Sequence, residues 1–467
     1  MVDFEAMEME KYSWPDVFMQ RMRTWLGEEA VPFFEALGKR DVGLRLNSAR
    51  GTLPALRARI PWETKPVPWC PESLWVQEEG ADVGAHPYHA AGLYYIQDPS
   101  AMAAGVLLDP QPGEWVLDLA AAPGGKATHL AARMGNDGVL VANDVARRRT
   151  SVLAMNLERM GVTHALISNE TSERLCDRWA GLFDAVLVDA PCSGEGMFSR
   201  DPRAVRDWSL DRVAYYAERQ RNILADAALL VRPGGRLLYG TCTFSPEEDE
   251  GTIAAFLATH DDFEGVSLPA LPGLYPSHPE WVGAPISLWA CAGRFWPHKG
   301  PGHGHFYALL RRKGTPPSAL PERWSGVDVP GRSLQLYQQE ASRLIQRTLP
   351  ETGLLLTKND DLYQVPLAPE LWRGLKVLRP GWWLGSVRHG KFNLDHALAM
   401  ALRPGDVTAQ VTLTVDDPRL VKFFRGGFWA DDGPDGVVLV TVDGFPLGWA
   451  KRRDGRCRSR YPVHLRK

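Results

Sequence analysis

Five short apolar runs, set one after another with helical stretches between them, constrain this chain more than any other feature. WVLDL (115–119), VLVAN (139–143), ALISN (165–169), DAVLVD (184–189) and RLLYG (236–240) are nearly continuous in apolar residues. Stretches such as KATHLAARM and VAYYAERQRNILADAALLV lie between them. A strand with one wet face alternates apolar and polar residues, whereas a strand covered on both faces does not. The pattern predicts a doubly wound, Rossmann-like α/β sheet of parallel strands over 96–313, with ligands bound beyond the C-terminal strand ends.

The flanks read differently. Residues 1–95 predict a small N-terminal α/β segment: KYSWPDVFMQRMRTWLGEEAVPFFEAL has helical spacing, GLRLN reads as a short strand and TLPALRARI as a helix. GTPPSALP (314–321) predicts a linker. A small mixed α/β domain over 322–402 and a β-rich domain over 403–467 follow.

The apolar share of 45% and charged share of 23% are those of an ordinary soluble chain. No stretch approaches the roughly 18 apolar residues of a membrane span. The acidic start MVDFEAMEMEKYSWP lacks a basic-then-apolar leader, so no membrane association and a cytoplasmic location are expected. Six scattered cysteines with no CxxC spacing give neither a disulfide framework nor a zinc pattern, so no metal is expected. Net charge is −3, but residues 314–467 hold 22 Lys/Arg against 16 Asp/Glu. The last seventeen residues carry eight basic side chains and one acid, Asp454. A phosphate-binding patch and a frayed, solvated tail both fit that charge.

VLDLAAAPGGKATHLAARM (116–134) runs strand, glycine turn, helix. Small residues let backbone approach a ligand, and the helix start offers unpaired N–H groups to an anion. Neither G-x-G-x-x-G nor the P-loop spacing is present. The next strands end at Asp144, placed to accept ribose hydroxyls, at Asn169, placed to meet an adenine edge, and at Asp189. Together these predict an adenosine-type pocket; singly, each is also an ordinary turn residue.

DAPCSGEGMF (189–198) and GTCTFSPEEDE (240–250) each set a cysteine just past an apolar run. Either thiol alone reads as a nucleophile or as an inert buried group. In the second motif, Ser245, Pro246 and Glu248 have the spacing of a helix cap and capping box. With QDPSAM (97–102) and AAAPGGK (120–126) in this order, the chain resembles the S-adenosylmethionine-dependent RNA cytosine-5 methyltransferases of the NOL1/NOP2/Sun family over roughly residues 40–313. Its C-terminal extension is similar to that of bacterial small-subunit rRNA enzymes of the family, which end in a PUA-like RNA-binding domain.

The chemistry of such enzymes requires a thiol. Cytosine C5 is a poor nucleophile until a thiolate adds to C6, after which C5 can take a methyl group and the thiolate can leave. The resemblance implies S-adenosylmethionine as cofactor, held by Ala120, Ala121, Ala122, Pro123, Gly124, Gly125, Lys126, Asp144, Asn169 and Asp189. It implies Cys242 as the nucleophile, Cys192 assisting adduct breakdown, and Asp189 at the cytosine N3/N4 edge. Lys126 would neutralise a carboxylate or approach the base. Asn169 departs from the Asp often found there.

The implied partner is RNA: 16S rRNA or the small ribosomal subunit. The expected RNA contacts are the basic C-terminus with Arg45 and Asn47; the pair Trp382 and Trp383 reads either as a base-stacking surface or, more readily, as the core of a small domain. A tRNA or DNA cytosine-5 methyltransferase shares this chemistry. A non-catalytic ribosome-assembly factor shares the fold. An amino-group methyltransferase would carry an N-P-P-Y-type motif, and none is present.

Overall fold

The computed structural model describes residues 14–285, 288–316, 322–346 and 349–466. Most of the linker expected at 314–321 lies outside them, as do the first thirteen residues of the acidic start. At the centre is a sheet whose main strands are β1 (Trp115–Asp118), β2 (Val139–Asn143), β3 (Ala165–Ser168), β4 (Phe183–Asp189), β5 (Val231–Thr241), β6 (Ala292–Phe295) and β7 (His305–Arg312). Their order is β3-β2-β1-β4-β5-β7-β6. β1 to β5 pair in parallel, and β7 runs antiparallel to β5. The order reverses between β1 and β4, which opens a crevice at their carboxyl ends.

Within each strand, successive apolar residues go to opposite faces. Leu117, Val141, Leu166 and Val186 join one core with helices α3 (Ser172–Trp179), α4 (Leu210–Leu230) and α5 (Glu250–Thr259). Val116, Leu140, Ile167 and Ala185 join the other with α1 (Gly125–Arg133) and α2 (Arg147–Arg159). Coverage on both faces is why these strands tolerate so few polar residues. Burying each Leu or Val contributes about 1.5–3 kcal/mol.

The flanking units dock closely on this sheet. Helices Asp16–Leu26 and Ala30–Leu37 bury Phe18, Phe33 and Phe34 against Phe198 and Phe244, each a few residues past a motif cysteine. A four-stranded antiparallel sheet follows, with Gly43–Leu46 between Cys70–Val76 and Tyr94–Gln97 and with Thr64–Val67 at one edge. Two five-stranded sheets lie toward the C-terminus. Strand Val377–Arg379 leaves the first of these regions and pairs antiparallel with β3, extending the central sheet. The last sheet shares its core with the N-terminal one, Val438 and Phe423 packing in one cluster with Leu44 and Leu74. Among the described residues no helix is long and apolar enough to cross a membrane.

The structure overturns one expectation and decides between alternatives at two others, each for a physical reason. Arg45 and Asn47 are 1% and 2% exposed, so they are not RNA-contact surface. Their strand is internal to its sheet, and Arg45 faces α1 rather than solvent. Trp382 is buried, donating to the Ala397 carbonyl at 3.2 Å, and Trp383 is half-buried against Tyr363, so the pair belongs to domain core. The basic end is not a frayed tail: Phe445–Arg453 and Arg456–Ser459 form a hairpin anchored by buried Cys457 and Tyr461.

Candidate active site

The glycine turn after β1 packs at the mouth of the crevice. Gly124 has φ +113°, a conformation costly for any residue with a Cβ, and it starts α1. Buried Arg45 props this turn from behind, donating to the Gly125 carbonyl, to Gln97 Oε1 and to Thr128 Oγ1, the last at 2.6 Å. The QDPSAM stretch contributes a second prop: Ser100 Oγ lies 3.0 Å from His305 Nδ1, and His305 Nε2 lies 3.5 Å from Lys126 Nζ.

Lys126 is ion-paired with Asp189 across the crevice at 2.8 Å. Burial works against its charge, but the Asp189 carboxylate outweighs that and holds the ammonium pKa above its ordinary value. Asp144 is buried at the end of β2, its carboxylate accepting from Ala146 N at 2.8 Å and from Ala122 N at 3.3 Å. This ties the second strand end to the glycine turn. Asn169 donates to the Asp144 carbonyl at 2.7 Å and does not line the cavity, whereas the neighbouring Glu170 to Glu173 do.

The two motif cysteines meet. Cys192 follows β4, Cys242 follows β5, both are half-buried, and their sulfurs are 3.4 Å apart. The hydrogen bond to Cys242 and then burial push the Cys192 thiol well above its ordinary pKa, so Cys192 keeps its proton beside the Cys242 sulfur. The Lys126 ammonium is near enough to Cys242 for their charges to interact. A single cavity of about 580 Å³ joins these groups, lined by Ala120 and Asp144 at one end and by Asp189, Cys192 and Cys242 at the other.

The capping box expected at Ser245–Glu248 does not form. The helix starts later, at Glu250, and Glu248 instead accepts from the Ser193 backbone of the other loop at 2.9 Å. Tertiary partners outbid local cap chemistry.

Asp118, which sequence reasoning passed over, ends β1 fully buried with both carboxyl oxygens unpartnered. Burial, reinforced by Asp189, pushes it up to about 8. The available signal was a lone acid within an otherwise apolar strand.

Away from the crevice, Cys70, Glu72 and His129 come together. The cluster is a hydrogen-bonded His129–Glu72 pair at 2.6 Å beside a thiol that burial pushes up to about 12, a poor donor set for a cation.

Comparison with known proteins agrees along the whole chain. Residues 105–311 match the family model for 16S rRNA methyltransferase RsmB/F, and residues 14–99 match the N-terminal domain of 16S rRNA methyltransferase RsmF. Residues 339–402 match the RsmF rRNA methyltransferase first C-terminal domain and 410–467 the methyltransferase RsmF PUA domain. The chain is 31% identical over 478 residues to ribosomal RNA small subunit methyltransferase F of Enterobacter sp. (strain 638), covering 97% of this chain and 95% of that one. It is 29% identical to the protein of that name from Escherichia fergusonii, at 97% and 96% coverage. Among solved structures, a methyltransferase homologue from Pyrococcus horikoshii superposes with a TM-score of 0.58 at 31% identity, covering 65% of this chain and 97% of that one. NSun6 from the same organism superposes at 0.56 with 20% identity, over 65% of this chain and 100% of that one, a likeness of fold.

Proposed function

We propose, from the premise that the chain belongs to the RsmB/F family of 16S rRNA methyltransferases, within NOL1/NOP2/Sun, that it methylates C5 of cytidine in 16S rRNA through a covalent adduct on Cys242. The observation that carries this reading is the pair of thiols 3.4 Å apart in a cavity that also reaches Asp144. A disulfide-free protein needs no such pair for stability, and cytosine C5 chemistry uses both: one sulfur to attack, one to manage the proton and the departure.

Ala120–Lys126 and Asp144 would hold S-adenosylmethionine, which would supply the electrophilic methyl group, while Asn169, turned onto the Asp144 carbonyl, stands outside the cavity. The remaining work falls to side chains. Cys242 as thiolate forms a C–S bond to C6, which places the displaced electron pair on C5 and the ring. Asp189, ion-paired with Lys126, accepts from the cytosine amino group and orients the ring. Lys126 places a positive charge beside the Cys242 sulfur. After methylation the C5 proton passes to solvent water, the C5–H electron pair forms the C5–C6 double bond, the C6–S bond breaks, and its electron pair returns to Cys242 as thiolate. Cys192, its sulfur 3.4 Å from that of Cys242 and holding its own proton, donates a hydrogen bond to the departing thiolate.

The base must leave its stack or lie in an open segment to reach Cys242. RNA binding falls to the basic hairpin. Lys451 and Arg458 face each other across it, as do Arg453 and Arg456, all of them exposed. Like charges directly opposite repel unless a polyanion bridges them. The reading carries with it a cytoplasmic location and a division into domains near 95, 313 and 402.

Mapping 5-methylcytosine in rRNA and tRNA from cells with and without the gene tests the proposal. A 16S site lost with the gene is expected. Loss confined to tRNA, or no loss, overturns it.

A further inference from the structure

The two cysteine loops are fastened together by carboxylates that each sends into the other. Glu248, on the Cys242 loop, accepts from Ser193 N, the peptide that follows Cys192, at 2.9 Å. It also accepts at 2.8 Å from Gln220 Nε2 of α4, which donates in turn to the Pro191 carbonyl at 2.9 Å. Glu195, on the Cys192 loop, does the converse. It accepts from Phe244 N at 2.7 Å and Ser245 Oγ at 2.6 Å, both just past Cys242, and from Trp208 Nε1 at 2.9 Å.

Two further links lie between the carboxylates. Ser193 Oγ and Thr243 Oγ1 are 2.8 Å apart, and Gly196 N donates to the Cys242 carbonyl at 2.8 Å. A Cβ on Gly196 would sit 2.8 Å from that carbonyl oxygen, so only glycine allows the approach.

Both carboxylates are buried, and among the described residues neither forms an ion pair. A buried acid without a counter-ion persists where donors converge on it. Here those donors include the peptides beside the two sulfurs, so the carboxylates hold the groups whose separation the chemistry needs. Burial, reinforced by the neighbouring Glu195, pushes Glu248 up to about 8, and the bonds from Ser193 and Gln220 act against that shift. Neither glutamate lines the cavity, so neither acts on the base directly.

We propose that Glu195 and Glu248 are a reciprocal pair of positioning residues that sets the Cys192–Cys242 separation and through it the rate of methylation. The inference rests on the two-cysteine reading above. It is tested with alanine and glutamine variants at both positions by three measurements: cofactor affinity, single-turnover methylation, and the rate at which diamide joins the two thiols. In that last reaction two thiols lose two hydrogens to diamide, which becomes the hydrazine, and the disulfide is read by intact mass after alkylation.

Glu248→Ala and Glu195→Ala lower methylation and disulfide formation about tenfold or more while cofactor affinity stays within about twofold. Glu248→Gln, whose carbonyl still accepts from Ser193, recovers most of both rates. Unchanged disulfide rates in the alanine variants overturn the proposal, as does cofactor affinity that falls in step with the rates. Should an alanine variant fail to fold, Thr243→Val removes the hydroxyl that meets Ser193 Oγ at 2.8 Å, donates to Glu248 Oε1 at 3.3 Å and accepts from Ser245 N at 3.4 Å: a fall of about threefold in both rates supports the pair, and no change overturns it. The disulfide measurement does not depend on which sulfur attacks cytosine, so a failure of the covalent mechanism appears separately, as a Cys192→Ala enzyme that traps no adduct.

Discussion

The crevice and the C-terminal hairpin both carry concentrated charge, and they use it in opposite ways. In the crevice the charged groups are satisfied: Lys126 pairs with Asp189 at 2.8 Å, and Glu248 accepts from the Ser193 peptide and from Gln220 of α4. On the hairpin cations face cations, Lys451 opposite Arg458 and Arg453 opposite Arg456, with Arg453 alone of these four paired to an acid among the described residues, the exposed Asp454 at 3.3 Å. Matched charge in a buried site fixes atoms to within tenths of an ångström, which bond-making requires. Unmatched exposed charge fixes little but attracts a polyanion from a distance. Single substitutions should therefore be severe and indivisible in the crevice, and mild and additive on the hairpin.

The largest expected effect is Cys242→Ala, which removes the attacking sulfur. Methylation falls by about 10³-fold or more with cofactor affinity nearly unchanged, measured by tritiated-methyl transfer and calorimetry. Cys192→Ala comes next. It accumulates a denaturation-resistant protein–RNA band, while turnover drops about 10²-fold. The band forming with Cys242→Ala instead would reverse the assignment of the two sulfurs.

Asp118 gives a prediction about stability. Its folded-state pKa, about 8, lies above the ordinary 3.8. The folded state therefore binds this proton more tightly than the unfolded chain does. That contribution is complete below about 4 and is lost as pH climbs toward 8. Asp118→Asn should flatten the decline in thermal midpoint over that window, leaving the variant relatively more stable at pH 8 than at pH 4. A parallel decline in both proteins would mean that the carboxyl is ionised throughout.

The same contrast explains what the sequence disclosed. The sheet was legible because burial on both faces leaves a local signature, unbroken apolar runs at β1 to β4. The cysteine loops were legible because each motif is contiguous. What stayed hidden depends on partners distant in the chain. Arg45 reads as the polar side of a short strand until α1 is seen covering it. Ser245 and Glu248 have true capping chemistry, and only the Ser193 peptide brought in by β4 redirects it. Asn169 stands at a strand end, as expected for an adenine contact, yet the fold turns its amide onto the Asp144 carbonyl. The basic end gave its charge from composition alone, but not the hairpin register that sets cation against cation.

That register makes the smallest prediction the most direct measure of the contrast. Lys451→Gln and Arg458→Gln each remove one member of a repelling pair, so neither should destabilise the fold, and relief of repulsion can raise the thermal midpoint slightly. Each should weaken RNA binding only a few-fold at low salt. Each should also reduce the slope of log affinity against log salt by about one, since one phosphate contact and its released counterion are lost. The double variant should show close to the sum of the two effects, because exposed contacts to separate phosphates are independent. Methylation at saturating RNA should not change. Were the hairpin substitutions to lower the saturated rate, or the double variant to lose far more affinity than the sum, the hairpin would be positioning the target as the crevice does, and the division between precise matched charge and diffuse unmatched charge would fail.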